Sequence, residues 1–248
     1  MTALDKLQAL NWQADRLLID DLHFRLVLTA EESDAFWKEQ PHFQLYKPKE
    51  LVQEYGQALE TYGIEPQNIF EIGLFDGGSL VLWHWLFQPA KIVGVDLVSR
   101  GDSAYFQQYI NKHQLQDKLK TYWGVDQRDG ETLKKLVAEN FQEGLDLVID
   151  DASHYYEETK SSFETLYPLL KPGALYIIED WQWSHWREFQ DHDYFKEKAP
   201  LTKLLGELIA WTGSRDAGAP KSITVYSRML VVEKGEATPA ANFRLPLN

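Results

Sequence analysis

The sequence predicts an α/β fold built on a doubly wound, mostly parallel seven-stranded sheet. From residue 68 onward, short apolar runs alternate with segments of helical length. The runs are unbroken, which is typical of parallel strands that are buried on both faces. Alternation at this spacing favours right-handed crossovers between neighbouring strands. The 248 residues suffice for one large α/β core and are too few for two full domains with linkers.

The composition is typical of a soluble globular protein and excludes several kinds of chemistry. Apolar residues make up 44% of the chain and charged residues 25%. A net charge of −13 without a basic face argues against nucleic acid or a membrane as the partner. The absence of cysteine excludes disulfides, thiolate metal sites and cysteine nucleophiles. No signal peptide or membrane span is recognisable, so we expect a cytoplasmic protein. Whether it forms a homo-oligomer stays open at this point.

Residues 1–47 are predicted to form an N-terminal helical cap. Weak helical periodicity around Leu4 and Leu7 supports this interpretation. Aromatic residues crowd the end of the segment, namely Phe36, Trp37, Phe43 and Tyr46. A longer helix is expected between Pro48, which suits a first helical turn, and Gly63, which suits a helix end.

The elements after residue 63 are assigned from apolar runs and helical periodicity. The predicted parallel strands are residues 68–72, 91–97, 119–123, 145–150 and 174–179. The predicted helices between them are residues 80–87, 105–113, 132–140 and 157–170. A tight turn is expected at residues 171–173. Residues 222–225 and 229–233 lie too close together for a crossover, so they are expected to add an antiparallel pair at the sheet edge.

The insertion at residues 181–221 follows the fifth predicted strand directly and is the best candidate for a lid. Its residues Trp181, Trp183 and Trp186 could pack on a flat acceptor or could form a small core of the insertion itself. Residues 236–248 are expected to be a loosely held tail.

Two predicted strands each end in a pair of acids. Asp150 and Asp151 end the fourth strand, and Glu179 and Asp180 end the fifth, with His154 shortly after the first pair. The carboxyl ends of neighbouring parallel strands meet at one crevice, and carboxylates crowded there repel unless a cation or protons intervene. The pattern therefore predicts a hard-metal site beside a histidine, although an acid pair could instead cap a helix and His154 could be structural.

A glycine-rich turn joins the first predicted strand to its helix and predicts a ligand site. Gly73, Gly77 and Ser79 lie where the backbone can approach a ligand and helix N–H groups are free. The spacing is neither the dinucleotide pattern nor a P-loop. Asp96, which ends the second strand, could accept hydrogen bonds from both ribose hydroxyls. Asp126, after the third strand, could bind the adenine amine or could be a solvated loop acid.

Four motifs and a closing segment together resemble the class I S-adenosylmethionine-dependent methyltransferases. They are E-x-G-x-x-x-G-G-S at 71–79, I-D-D-x-S-H at 149–154, P-L-L-x-P-G at 168–173, I-E-D at 178–180 and VYSRMLVVEKG at 225–235. The narrower likeness is to the metal-dependent macrolide sugar O-methyltransferases of the mycinamicin and macrocin type and to the cephalosporin-hydroxylase-like group. The resemblance implies a Rossmann-like methyltransferase domain over residues 48–235.

The resemblance also implies roles for individual residues and the cofactors S-adenosylmethionine and Mg²⁺. His154 would be the catalytic base. The implied Mg²⁺ ligands are Asp151, Glu179 and Asp180. The implied cofactor-binding residues are Glu71, Gly73, Gly77 and Ser79 for methionine, Asp96 for ribose, Asp126 and Gln127 for adenine, and Asp150 beneath the cofactor amino group. Phe75 departs from the glycine that many class I enzymes have in the middle of the loop.

These inferences predict an Mg²⁺-dependent O-methyltransferase that acts on a hydroxyl of a small molecule, such as a sugar or natural-product alcohol. A catechol acceptor is closely related, because a metal can also chelate a vicinal phenol pair. His185 and His192 are alternative bases. Two other functions stay open at this point: a metal-independent N- or carboxyl-directed methyltransferase, and a non-catalytic protein that binds an adenosyl ligand.

Overall fold

The computed structural model describes residues 2–27, 41–190, 193–239 and 243–245. Its strands are β1 (Asn11–Trp12), β2 (Arg16–Ile19), β3 (Leu22–Leu26), β4 (Phe43–Leu45), β5 (Asn68–Ile72), β6 (Lys91–Asp96), β7 (Leu119–Trp123), β8 (Leu145–Asp150), β9 (Leu170–Glu179), β10 (Ser222–Val225) and β11 (Met229–Glu233). Its α-helices are α1 (Ala3–Gln8), α2 (Lys49–Tyr62), α3 (Gly78–Phe87), α4 (Ala104–His113), α5 (Gly130–Asn140), α6 (Tyr156–Leu166), α7 (Arg187–Gln190) and α8 (Leu201–Thr212). Short 3₁₀ turns cover Tyr167–Leu169 and Trp183–His185.

The seven-stranded, mostly parallel sheet predicted from the sequence is confirmed. Its order is β10-β11-β9-β8-β5-β6-β7. Five neighbouring strands run parallel to one another, namely β9, β8, β5, β6 and β7. At the other edge, β11 pairs antiparallel with β9, and β10 pairs antiparallel with β11. The order reverses between β5 and β8, which is where doubly wound sheets place their ligands. Among the described residues, none of the helices has the length and apolarity needed to cross a bilayer.

The sheet separates two apolar layers, and the alternation of side chains along each strand assigns residues to them. On β8, Leu147 and Ile149 join the layer of α2 and α3, whereas Val148 joins the layer of α5, α6 and α8. Strand β9 alternates in the same way. Because both faces are covered, these strands need apolar residues at every position, which explains the unbroken runs in the sequence.

The N-terminal region differs from the predicted helical cap. It has one short helix, α1, and a four-stranded sheet in the order β1-β2-β3-β4. Its strands have two to five residues, and β3 alternates buried and exposed positions. This period-two pattern is typical of a half-buried strand and outweighs the weak helical periodicity. The aromatic residues Phe36 and Trp37 lie outside the described residues.

The expected turn at residues 171–173 is also wrong, because these residues belong to β9. The pairing of β9 with β8 shifts register between Leu145 and Leu147, which is the mark of a bulge. Gly173 has φ = +76° and its N–H donates to the carbonyl of Lys234 at 3.0 Å. A glycine at a bulge thus imitates the sequence signature of a turn.

The N-terminal sheet packs directly on the start of α3. A Cβ at Gly78 would lie 2.1 Å from the carbonyl oxygen of Gln44, so only glycine allows this approach. The ring of Phe43 lies 4.7 Å from Tyr105 and 5.7 Å from Tyr109 of α4, centroid to centroid. These contacts fix the position of β4 and of the residues that follow it.

Candidate active site

A cavity of about 590 Å³ opens at the carboxyl ends of the parallel strands. Its wall is formed by the turn after β5, the end of β6, the loops after β7 and β8, and the segment after β4. The predicted site residues that line it are Gly73, Ser79, Asp96, Asp126, Gln127, Asp151 and His154. Glu71, Gly77, Asp150, Glu179 and Asp180 are buried and are not part of the wall.

The glycine turn is shaped by a close approach of two strand ends. Gly73 has φ = +94°, and a Cβ there would lie 2.0 Å from the carbonyl oxygen of Asp151. Gly77 has φ = +77°, and its Cβ would meet the ring of Phe106 at 2.7 Å. Both positions require glycine, so the turn follows the strand closely and leaves the start of α3 open to the cavity.

The carboxylate of Asp96 holds the glycine turn in place. Its Oδ2 accepts hydrogen bonds from the N–H groups of Leu74 at 2.8 Å and Phe75 at 3.0 Å. Its Oδ1 accepts from Val98 N–H at 2.8 Å. A carboxylate has about four acceptor positions, so Asp96 retains capacity for a further donor in the cavity.

Asp126 and Gln127 lie side by side in the wall and have different partners. Asp126 accepts from Arg128 Nη2 at 2.8 Å and is partly exposed. The amide oxygen of Gln127 accepts from Ser153 N–H at 3.1 Å. Its amide nitrogen faces Asp150 at 3.5 Å. Gln127 therefore connects the loops after β7 and β8.

Asp150 lies under the wall in a buried hydrogen-bonded network. It accepts from the hydroxyls of Ser162 and of Tyr176, the latter at 3.1 Å. Burial raises its pKa to about 6, and these two hydrogen bonds oppose the rise. Its contacts position the end of β8 from below the cavity.

The structure brings three of the predicted site residues together as a possible metal-binding group. Donor atoms of Asp151, His154 and Asp180 all lie within 4.8 Å of one another. They meet because β8 and β9 are hydrogen-bonded neighbours, with Asp150 opposite Ile178. Burial raises the pKa of both acids above the ordinary value, and for Asp151 the charge of Lys47 opposes the rise most.

Three residues around the cavity have left-handed backbone conformations although they are not glycine. The φ angles are +53° at Phe75, +57° at His154 and +54° at Asp180. Such conformations are uncommon for residues with a Cβ, and they concentrate at functional sites. Here they belong to the glycine turn and to two members of the metal-binding group.

Lys47 is a site residue that sequence reasoning missed. Its Nζ lies 2.7 Å from Asp151 Oδ2 and 2.7 Å from both carboxylate oxygens of Glu179. Burial alone would lower its pKa, but the charges of Asp151 and Glu179 raise it well above the ordinary value. In the sequence, Lys47 directly follows the aromatic residues Phe43 and Tyr46, but no local pattern there indicates an ion pair.

Glu179, the third predicted metal ligand, is not in the group of Asp151, His154 and Asp180 and has partners of its own. Besides Lys47, it accepts a hydrogen bond from Tyr55 Oη at 2.6 Å. The pKa of Glu179 is raised to about 7, first by burial and then by the charge of Asp151. Its carboxylate is fully buried.

Aromatic rings cover the side of the cavity next to His154. The rings of His154 and Trp183 lie 4.6 Å apart, and Trp183 stacks on Phe189 at 5.5 Å with an interplanar angle of 3°. Tyr46 lies 5.7 Å from Phe75. The alternative base His185 is outside the wall and contacts Thr202 at 3.2 Å. His192 lies outside the described residues.

Glu71 gives the fold a testable pH dependence. Burial raises its pKa to about 8, whereas an unfolded glutamate titrates near 4.5. Between these values the folded state retains the proton that the unfolded state releases, so stability falls as pH rises, by up to about 1.4 kcal/mol per pH unit for one proton. We expect Glu71→Gln to reduce this slope in urea unfolding at pH 5 to 8.5 without metal.

The exposed Glu65 provides the control for this experiment. Glu65→Gln should leave the slope of the unfolding free energy against pH as in the unchanged protein. Equal slopes for Glu71→Gln and the unchanged protein would contradict the assignment of the retained proton to Glu71.

The sheet order, the crevice between β5 and β8 and the glycine turn define a Rossmann-like class I methyltransferase fold. Residues 70–181 match the family model described as Methyltransferase domain. This match covers less than half of the chain, and it confirms the resemblance to methyltransferases that was inferred from the sequence motifs.

Two curated relatives are similar to this chain over its central part. Demethylmacrocin O-methyltransferase of Streptomyces fradiae is 32% identical over 157 residues, which cover 60% of this chain and 36% of that protein. Mycinamicin VI 2''-O-methyltransferase of Micromonospora griseorubida is 30% identical over 142 residues, which cover 54% and 32%. The matched segment thus spans about a third of the length of each relative.

Solved structures give the same classification. The MycE methyltransferase in complex with Mg, SAH and mycinamycin VI aligns with a TM-score of 0.56 and 27% identity, over 74% of this chain and 49% of that one. The O-methyltransferase TomG from Streptomyces achromogenes has a TM-score of 0.51 at 14% identity, over 85% of this chain and 82% of that one, which supports the fold alone.

Proposed function

We propose that the protein is an S-adenosylmethionine-dependent, Mg²⁺-dependent O-methyltransferase that acts on a hydroxyl of a sugar or natural-product alcohol. The observation that carries the proposal is the grouping of Asp151, His154 and Asp180 at the cavity. Hard oxygen donors beside an imidazole suit metal-assisted activation of a hydroxyl. The matched relatives are named as O-methyltransferases, and MycE is described with Mg, SAH and mycinamycin VI bound, which supports both cofactors.

S-Adenosylmethionine would lie along the wall from the glycine turn to the loop after β7. Gly73 and Ser79 would border its methionine part, because the turn brings backbone N–H groups to the cavity. Asp96 would accept from the ribose with the acceptor capacity that its three backbone partners leave free. Asp126 and Gln127 would border the adenine.

Three predicted cofactor residues would act from behind the wall. Glu71 accepts a hydrogen bond from Trp83 Nε1 at 3.3 Å, and Gly77 shapes the turn. Asp150 supports the end of β8 through Ser162 and Tyr176. Their proposed role is to hold the backbone that contacts the cofactor. Because they are buried behind the cavity wall, we do not propose that they contact the cofactor directly.

The residues present fit an Mg²⁺ ion. The carboxylates of Asp151 and Asp180 are within reach of one ion, with the imidazole of His154 beside them, and burial raises the pKa of both acids. Buried carboxylates in excess of their cationic partners leave a charge imbalance that a divalent cation relieves. When bound, Mg²⁺ supplies the Lewis acidity that orients an acceptor hydroxyl and lowers its pKa.

His154 is proposed to take the proton of the acceptor hydroxyl during methyl transfer. Imidazole is the side chain suited to general-base catalysis near neutral pH. The ring of Trp183 packs on His154 at 4.6 Å and would limit its rotation and its access to water. S-Adenosylmethionine, held by the wall residues described above, would supply the methyl group, and its transfer requires alignment with the acceptor oxygen.

Chelation of divalent metal is expected to abolish methyl transfer. We expect EDTA to remove activity towards a panel of hydroxylated sugars and natural-product alcohols, and excess Mg²⁺ to restore it, with the product mass increased by about 14 Da for one methyl group. Binding of S-adenosylhomocysteine, measured by calorimetry in EDTA, should persist and serves as the control. Full turnover in the chelator would eliminate the metal from the proposal.

One observation favours a second candidate, a metal-independent methyltransferase. Lys47 already pairs with Asp151 and Glu179, so part of the negative charge at the site is balanced without metal. In that case the acids would serve an amine or carboxylate acceptor. The same chelator assay separates the two functions, because only the second retains turnover in EDTA.

A further inference from the structure

Lys47 reaches the acids from a part of the chain that precedes the methyltransferase-domain match at residues 70–181. It follows β4 by two residues, and β4 is fixed by the contact of Gln44 with Gly78. Gln44 N–H also donates to Asp76 Oδ2 at 3.1 Å. The N-terminal sheet therefore delivers one ammonium group to a set position among the carboxylates.

Several carboxyl groups surround Lys47. Its Nζ contacts Asp151 and Glu179 directly, and Asp180 also interacts with its charge. The side chain is 2% exposed, so water does not screen these interactions. A cation in this position reduces the attraction of the acids for a second cation.

Lys47 also determines which acids remain available. It faces both oxygens of Glu179 at 2.7 Å, and Tyr55 donates to the same carboxylate. Asp180 has no lysine or arginine partner among the described residues, and it lies with His154 in the possible metal-binding group. Asp151 is shared, since it contacts Lys47 and belongs to that group.

A second buried lysine shows what a purely structural pair looks like in this protein. Lys160 pairs with Glu207 at 2.8 Å, and Tyr156 donates to the same carboxylate at 2.6 Å. That pair joins α6 to α8 and involves none of the metal-binding group. It resembles the Lys47 arrangement in chemistry, with a lysine side chain 11% exposed against 2% for Lys47, which makes it a suitable control.

We infer that Lys47 is a positioning residue that sets the divalent-cation affinity of the site by holding Glu179 away from the ion and leaving Asp151 and Asp180 to bind it. The inference rests on the proposed function and deepens it. Removal of the ammonium group withdraws a repelling charge and releases the carboxylate of Glu179, so the site should bind a divalent cation more tightly.

The test is a Mn²⁺ titration of the full chain without cofactor or acceptor, read from the electron paramagnetic resonance signal of free Mn²⁺. We expect Lys47→Gln to lower the Mn²⁺ dissociation constant at least about ten-fold relative to the unchanged protein, and Lys47→Arg to stay within about three-fold of it. Lys160→Gln should change it by less than about two-fold. An unchanged or weakened affinity in Lys47→Gln overturns the inference.

A second variant keeps the inference testable if Lys47→Gln does not fold, as judged by circular dichroism. Glu179→Gln removes a nearby charge but no ligand, so it should raise the Mn²⁺ dissociation constant less than Asp180→Asn does, and Asp180→Asn should raise it more than about ten-fold. A loss of affinity in Glu179→Gln equal to that in Asp180→Asn overturns the inference.

The experiment distinguishes the two failures. If the unchanged protein binds Mn²⁺ and Lys47→Gln binds it no more tightly, the inference fails and the Mg²⁺-dependent function stands. If neither protein binds Mn²⁺, the inference and the metal-dependent part of the proposed function both fail, and activity in EDTA then decides for the metal-independent candidate.

Discussion

His154→Ala is expected to lower kcat by about 10²–10⁴-fold while S-adenosylmethionine still binds. This range is the usual contribution of a positioned general base. Binding of S-adenosylmethionine should persist because His154 lies next to Trp183, Asp151 and Asp180 and not at the glycine turn. Initial rates with a methylated product and calorimetry with the cofactor measure the two quantities separately.

The same variant also separates a base from a metal ligand. A base predicts that His154→Ala keeps the Mn²⁺ affinity of the unchanged protein, whereas a ligand predicts a loss of affinity together with turnover. The control is His185→Ala, because His185 is exposed and bonded to Thr202 outside the cavity wall. Loss of turnover in His185→Ala with retention in His154→Ala would reverse the assignment.

Gly73→Ala is expected to have the largest effect on stability. Alanine at φ = +94° is strained, and its Cβ would lie 2.0 Å from the carbonyl oxygen of Asp151, a backbone atom that cannot move aside. Backbone strain of about 1–3 kcal/mol and overpacking of about 1–3 kcal/mol together give a loss on the order of 4 kcal/mol in the free energy of unfolding. Urea denaturation measures it.

A substitution at Gly63 measures the cost of backbone strain without the steric clash that is expected in Gly73→Ala. Gly63 ends α2 with φ = +60°, and a Cβ there would have no neighbour within 4 Å. Gly63→Ala should therefore cost only the backbone strain, about 1 kcal/mol. Equal losses for the two variants would show that the contact between the ends of β5 and β8 does not require glycine.

The central strands could be predicted because burial on both faces leaves a strong local signal. The runs before Asp150 and Glu179 are apolar at successive positions, and the structure pairs these strands as neighbours. The acids at their ends could be grouped for the same reason. The helix starts were less accurate: α3 begins at Gly78, two residues before the predicted start, because glycine has little helical preference of its own.

The N-terminal sheet could not be predicted from helical periodicity, since its strands are too short for a strong pattern. Leu22, Phe24 and Leu26 alternate with polar residues, and this period-two signal could have identified β3. Lys47 left no local signal, because its partners Asp151 and Glu179 are 104 and 132 residues away. The lid role of residues 181–221 stays a prediction, although Trp183 and Tyr194 of this insertion do border the cavity.

The packing of the N-terminal sheet on α3 and α4 has a consequence for protein engineering. A fragment that began at residue 68 would uncover the aromatic surface of Tyr105 and Tyr109 that Phe43 now covers. It would also lack Lys47 and leave the carboxylates of Asp151 and Glu179 without their cationic partner. Loss of one partner of a buried ion pair is strongly destabilising. Chimaeras between relatives should therefore exchange residues 43–47 together with the segments that follow β8 and β9.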